Sequence, residues 1–242
     1  MILNGDCLEL MKEIPDGRVD MILCDLPYGT TACKWDTVIP FEPLWEQYKR
    51  VIKENGAIAL TSQQPFTSAL IMSNAGMFRY EWIWCKTEAT GHLNAKKAPM
   101  KAHENIAVFY KSLPTYNPQK TTGHVRKTAV ADRAKKMSDC YGDQKGVTRY
   151  DSTERYPRST VTFSTDKQHS TIHPTQKPVA LFEYLIRTYT NEGETVLDNC
   201  AGSGTTGIAC INSNRKFILI EKDEGYYAKA KQRIALHQIE EL

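Results

Sequence analysis

The residues best suited to do chemistry lie in two turns near opposite ends of the chain. In the first, an apolar run ends in Asp25-Leu26-Pro27-Tyr28-Gly29. Pro27 fixes its backbone dihedral and Gly29 releases the chain, so an acceptor carboxylate and an aromatic ring are held together at a strand end. In the second, Val196-Leu197 runs into Asp198-Asn199-Cys200-Ala201-Gly202-Ser203-Gly204-Thr205-Thr206. Glycines there let the backbone approach a ligand, and the helix that follows offers unpaired N–H groups and a positive dipole end. That chemistry suits a small molecule bearing an anion or carboxylate. Glu221 closes the next apolar run 19 residues after Gly202, the separation at which doubly wound nucleotide folds place an acid on ribose hydroxyls. Together the two features favour an adenosine-containing ligand.

Other glycine-turn chemistries fit less well. A phosphate-binding P-loop needs lysine directly after its last glycine, and here Thr205 follows Gly204 and Ile208 follows Gly207. Gly202, Gly204 and Gly207 satisfy the dinucleotide spacing only formally, because four residues, 198–201, separate the strand from the first glycine. Upstream, His173-Pro174-Thr175-Gln176-Lys177-Pro178 is a polar turn with proline suited to a first helical turn. Thr175 and Lys177 can meet a carboxylate there.

Elements that would position these turns follow from the hydrophobic pattern. Short apolar runs predict strands near 1–4, 20–25, 57–61, 80–86, 104–110, 195–198 and 216–221. Apolar residues at three-and-four spacing predict helices over 41–53, 178–189 and 226–239, with another from 206 to 212 and Asn55-Gly56 stopping the first. The alternation implies an α/β fold with a doubly wound, mostly parallel sheet, whose carboxyl edge binds ligands.

The 242 residues, 41% hydrophobic and 24% charged, suit one large α/β domain and argue against fibrous, disordered or membrane-spanning classes. No run approaches the length of a membrane-spanning helix, and the first residues lack the apolar stretch of a signal peptide, so a cytoplasmic protein with no membrane partner is expected. Seven scattered cysteines show no metal-ligand spacing, and no metal is expected. The net charge of +3 conceals an asymmetry: residues 86–172 hold 16 basic and 8 acidic side chains, +8, and the remainder stands at −5. Tyrosines interleave with these cations, which fits a nucleic-acid surface and equally a solvated loop.

At this point the motifs resemble a known family. Asp25-Leu26-Pro27-Tyr28 is similar to the (D/N/S)PP(Y/F/W) motif of amino-methylating DNA methyltransferases, residues 198–206 to their DPFxGSGTT motif, and HPTQKP to part of the same cofactor site. Trp82-Ile83-Trp84-Cys85-Lys86 and Ala102-His103-Glu104-Asn105 resemble the segments that flank the target-recognition region. The order of motifs is that of the β group, so the resemblance implies a Rossmann-like fold of the AdoMet-dependent type, circularly permuted. Its parts would be a catalytic half, 1–111, a basic target-recognition insert, 112–172, and an AdoMet-binding half, 173–242. Leu26 replaces the family's first proline and Asn199-Cys200 its Pro-Phe.

The resemblance implies S-adenosyl-L-methionine as cofactor. Glu221 would hold its ribose, Asp198 with Ala201, Gly202, Ser203, Gly204, Thr205 and Thr206 its methionine part, Thr175 and Lys177 its carboxylate, and Asp6 its adenine side. Asp25 and a carbonyl of the Leu26–Pro27 turn would accept the hydrogens of an exocyclic amine, with Tyr28 stacked on a flipped base. DNA would meet Lys96, Lys97, Arg126, Lys127, Arg149, Arg155 and Arg158. The aspartate implies adenine N6 as target; alternatives are cytosine N4, a nucleotide-dependent oxidoreductase or an inactive DNA-binding module. A homodimer and a cognate restriction endonuclease are further partners such an enzyme would have.

Overall fold

The computed structural model describes residues 1–31, 33, 36–132, 147–165 and 176–240. Two compact units emerge, Met1–Asn117 with Ser159–Leu242, and Pro118–Arg158. The larger is built on an eight-stranded sheet. In chain order its strands are β1 (Ile2–Asn4), β2 (Val19–Asp25), β3 (Ile52–Ser62), β4 (Phe78–Thr90), β5 (Lys101–Phe109), β8 (Thr160–Phe163), β9 (Thr195–Asp198) and β10 (Lys216–Glu221). The spatial order is β1-β10-β9-β2-β3-β5-β4-β8. From β1 to β3 every pairing is parallel, β5 is antiparallel to both its neighbours, and β8 joins β4 in parallel.

β2 shows why this sheet is buried on both faces. All its residues but Asp25 are buried, and side chains alternate in direction along a strand. Ile22 and Cys24 pack with Leu44, Trp45 and Tyr48 of α2 (Phe41–Val51) and with Phe66 and Leu70 of α3 (Phe66–Ser73). Met21 and Leu23 turn the other way, onto Leu181, Leu185 and Ile186 of α4 (Val179–Tyr189) and Ala209 of α5 (Thr205–Asn212). A short α1 (Cys7–Leu10) follows β1, and α6 (Glu224–Glu240) covers β10 through Ile234 on Leu219.

Local differences from the sequence pattern have simple causes. α2 stops at Val51, before Asn55-Gly56, because Ile52 already enters β3. Gly56 then lies within the strand, where an added Cβ would come within 2.8 Å of the Asp20 carbonyl. β8 draws residues 160–163 into the main sheet, since Thr160, Val161, Thr162 and Phe163 pair with residues 83–86 at its edge. The smaller unit carries β6 (Lys127–Asp132) and β7 (Val147–Ser152), an antiparallel pair.

Candidate active site

β2 and β9 are parallel neighbours, with Met21 opposite Val196 and Ile22 opposite Leu197. Their final residues, Asp25 and Asp198, therefore arrive at the same edge of the sheet, and both line one cleft of about 800 Å³ in the larger unit. Parallel pairing with β3 sets Thr61 opposite Asp25. The Thr61 hydroxyl donates to Asp25 Oδ1, the Tyr28 hydroxyl donates to the same oxygen at 2.7 Å, and Lys177 Nζ donates to Oδ2 at 2.7 Å.

Tyr28 is fixed further by a stacked Phe66, with ring centroids 5.2 Å apart. Burial, then the nearby Asp25 and Glu104 carboxylates, pushes its phenol well above the usual range, so the hydroxyl stays a neutral donor. Leu26 is buried in the core, and Pro27 lines the cleft. Behind Lys177 stands Glu104 of β5, 3.3 Å from its ammonium, and Lys86 of β4 pairs with Glu104 at 2.5 Å. Burial by itself lowers the pKa of Lys177, but Asp25 and Glu104 outweigh it and leave that pKa raised.

The loop after Tyr28 is held by Asp36, whose carboxylate accepts the backbone N–H groups of Gly29, Thr30 and Thr31 at 2.7–2.9 Å. Burial opposes the charge of Asp36, but the Thr31 hydroxyl together with these backbone bonds prevails and lowers its pKa.

At the other end of the cleft, Asp198 accepts from the Cys200 N–H at 3.0 Å and from the Thr206 hydroxyl. Desolvation pushes its pKa up to about 6. Glu221 accepts from Gly202 N at 2.7 Å and Asp223 N at 2.8 Å, and burial raises its pKa. Asp6 caps α1 through Leu8 N and pairs with Lys222 at 3.1 Å, which lowers its pKa.

Ala201, Gly202, Ser203 and Thr205 line the cleft beside Asp6, Asp198 and Glu221. Gly204 and Thr206 instead stand behind its wall. Gly204 adopts φ +77°, and a Cβ there would lie 3.1 Å from Ala230 Cβ; Thr206 is fully buried against Asp198. Gly204 lets the turn pack against α6, and Thr206 ties the following helix to Asp198. Asn199 Oδ1 accepts from the Tyr48 hydroxyl at 2.5 Å, tying the turn to α2. Thr175 lies outside the described residues.

Gln176 carries a further signal. It is buried and lines the cleft, and its Oε1 has no hydrogen-bond partner among the described residues. An orphaned buried acceptor at a cleft wall is a place for a ligand's N–H. Thr61 and Asp36 lie outside the sequence motifs, and Lys86, Glu104 and Gln176 lie within motif segments that give them no individual role. Strand pairing brings Thr61 to Asp25, Glu104 reaches Lys177, Lys86 reaches Glu104, and a loop closure sets Asp36 on the backbone after Tyr28.

Lys96 and Lys97 are exposed on the loop joining β4 to β5. In the smaller unit Lys127, Arg149 and Arg158 are exposed, and Arg126 pairs with Asp151 at 2.6 Å. Arg155 braces that unit from within, because its guanidinium donates to the carbonyls of Val125, Ser152 and Glu154 at 2.6–3.1 Å. Among the described residues no cluster of His, Cys, Asp and Glu could hold a metal ion, and no helix is long and apolar enough to cross a membrane.

The sheet and its cleft define an α/β fold of the AdoMet-dependent methyltransferase type. Residues 19–232 match the N6/N4 methyltransferase family model, described as DNA methylase, and the chain belongs to that family. It is 32% identical to the DNA adenine methyltransferase YhdJ of Escherichia coli K12, across 96% of this chain and 82% of that protein. It is 27% identical to the Type II methyltransferase M.HpaI of Haemophilus parainfluenzae, across 96% of this chain and 73% of the relative. The crystal structure of the M1.HpyAVI-SAM complex superposes with a TM-score of 0.67 at 24% identity, covering 97% of this chain and 98% of that one. The family's methyl donor is S-adenosylmethionine. The site suits it: carboxylates at Asp198 and Glu221 for cationic and hydroxyl groups, a glycine turn with N–H groups, and the Gln176 acceptor, which is without a partner among the described residues.

Proposed function

We propose that this DNA methylase transfers the methyl group to the exocyclic N6 of adenine. The observation that carries the reading is the convergence of Asp25 and Asp198 on one cleft at the ends of adjacent parallel strands. An aspartate before the proline and tyrosine, and the adenine specificity in the name of YhdJ, support adenine over cytosine.

The target amine has its lone pair delocalised into the ring and lies inside the duplex, so the base must leave the stack. Stacking on Tyr28, worth about 1–3 kcal/mol, offsets part of the unpairing cost. Asp25 and a backbone carbonyl of the Leu26–Pro27 turn accept the amine hydrogens and draw the nitrogen toward tetrahedral geometry. Rate then comes from positioning and fixed charge. Asp25 takes the proton that the amine releases. Bound S-adenosylmethionine supplies a methyl group activated by its sulfonium charge. Glu221 would hold its ribose, Asp198 with Ala201, Gly202, Ser203 and Thr205 its methionine part, and Asp6 its adenine side.

Residues 112–172 act as the target-recognition insert between a catalytic part and a cofactor part, with Lys127, Arg149 and Arg158 on DNA phosphates. A cognate restriction endonuclease, a homodimer and a cytoplasmic location complete the reading, the first supported by the Type II name of M.HpaI. Incubation with labelled S-adenosylmethionine and duplexes that offer amino groups on adenine alone or cytosine alone tests it. Label in adenine is expected; label solely in cytosine moves the reaction to N4, and none in either removes the reading.

A further inference from the structure

The catalytic carboxylate is the end of a chain of four charges. Lys86, Glu104, Lys177 and Asp25 alternate in sign, with successive separations of 2.5, 3.3 and 2.7 Å. Side chains of the first three are at most 10% exposed. Charged groups this buried persist only when paired. Four different segments supply them: β4, β5, the turn before α4, and β2.

An ionised carboxylate offers about four acceptor directions, two on each oxygen. In Asp25, Thr61 and Tyr28 hydroxyls occupy Oδ1, and Lys177 occupies one side of Oδ2. Among the described residues these three donors leave one direction, on Oδ2, for a substrate N–H. The ammonium of Lys177 is itself shared between two carboxylates, and its backbone carbonyl accepts from Thr205 Oγ1 of α5 at 3.4 Å, beside the cofactor turn.

We propose that Lys177, held by its ion pair with Glu104 and through it by Lys86, is a positioning residue that aims an Oδ2 acceptor direction of Asp25 at the substrate amine. This rests on the reading of Asp25 as the amine's acceptor. Lys177 then acts on the chemical step through Asp25, and Glu104 acts through Lys177.

The test uses the full chain with S-adenosylmethionine and duplex DNA, reading kcat, KM for DNA and, by calorimetry, Kd for S-adenosylmethionine. K177M should lower kcat at least tenfold while KM and Kd move less than about threefold, a pattern of an interaction felt in the transition state. K177R should recover part of kcat. E104Q should lower kcat by a smaller factor, and E104Q/K177M should be no slower than K177M, since residues acting through one contact are not additive. A K177M variant that loses S-adenosylmethionine affinity at unchanged kcat assigns Lys177 to the cofactor and overturns the inference. Additive losses in the double variant overturn the role of Glu104. If K177M does not fold, K177R and E104Q carry the decision: full kcat in both removes the inference. A wild-type chain that methylates no DNA removes the underlying reading instead, so the two failures are distinct.

Discussion

Asp25 and Asp198 are both strand-end aspartates, yet their surroundings give them different work. Asp25 is met by a cation and two hydroxyls, whereas Asp198 has hydrogen bonds but no cation among the described residues, and burial drives its pKa up to about 6. Because that value lies above the unfolded one, the ionised form carries an energetic cost in the fold above pH 6 that is relieved as pH falls. A cationic ligand beside it binds the ionised form. Affinity for S-adenosylmethionine should therefore be flat above about pH 7 and weaken by about tenfold per unit below 6. Calorimetry across that range checks it: Asp198→Asn should bind weakly and without this dependence, and a wild-type affinity independent of pH would remove Asp198 from the ligand's charge. Asp25→Ala should reduce transfer by about 10²–10⁴-fold, with DNA binding by gel shift unchanged; surviving transfer would take the acceptor role from Asp25. Both aspartates are legible in the sequence because each ends an apolar run at a turn. Their hydrogen-bond partners are not, since a group such as Thr61 reaches Asp25 from another strand.

At the scale of elements, the glycines of the cofactor turn serve packing as much as ligand approach. A Cβ on Gly207 would lie 2.7 Å from Ile234 Cδ1 and 3.0 Å from Leu219 Cδ1, so α5 rests close against α6 and β10. Gly207→Ala should overpack this contact and cost about 1–3 kcal/mol, read as a lower urea midpoint together with weaker S-adenosylmethionine binding. An unchanged midpoint would mean that α6 yields freely. Tyr48→Phe should cost about 1–3 kcal/mol by stranding the Asn199 amide, a loss that denaturation of the two proteins measures directly. The central strands and the helices α2, α4, α5 and α6 were readable, because continuous apolar runs and three-and-four spacing are local signals. α3 was not: its FTSALIMS sequence has no polar stripe, and the core over Phe66 and Leu70 makes it a helix. β8 alternates but has few apolar residues, and only pairing with β4 defines it.

For the whole molecule, charge separates along the chain. The unit Pro118–Arg158 holds 10 basic and 5 acidic residues in a chain of net +3. If Lys127, Arg149 and Arg158 meet phosphates, each alanine variant should weaken binding to all DNA sequences alike and reduce the salt slope of binding by about one; an unchanged slope removes that residue from the interface. Arg155→Ala should instead loosen the unit itself, through the three carbonyls it holds. The sequence by itself determined the two functional turns, most of the sheet and the basic insert, because turn residues, apolar runs and composition act within a few residues. Only the tertiary structure decided that Lys177 faces Asp25 across a sequence separation of 152 residues, and that Glu104 and Lys86 stand behind it. An ion pair between distant segments depends on sheet register and on which groups lose their water together, and no local pattern carries either.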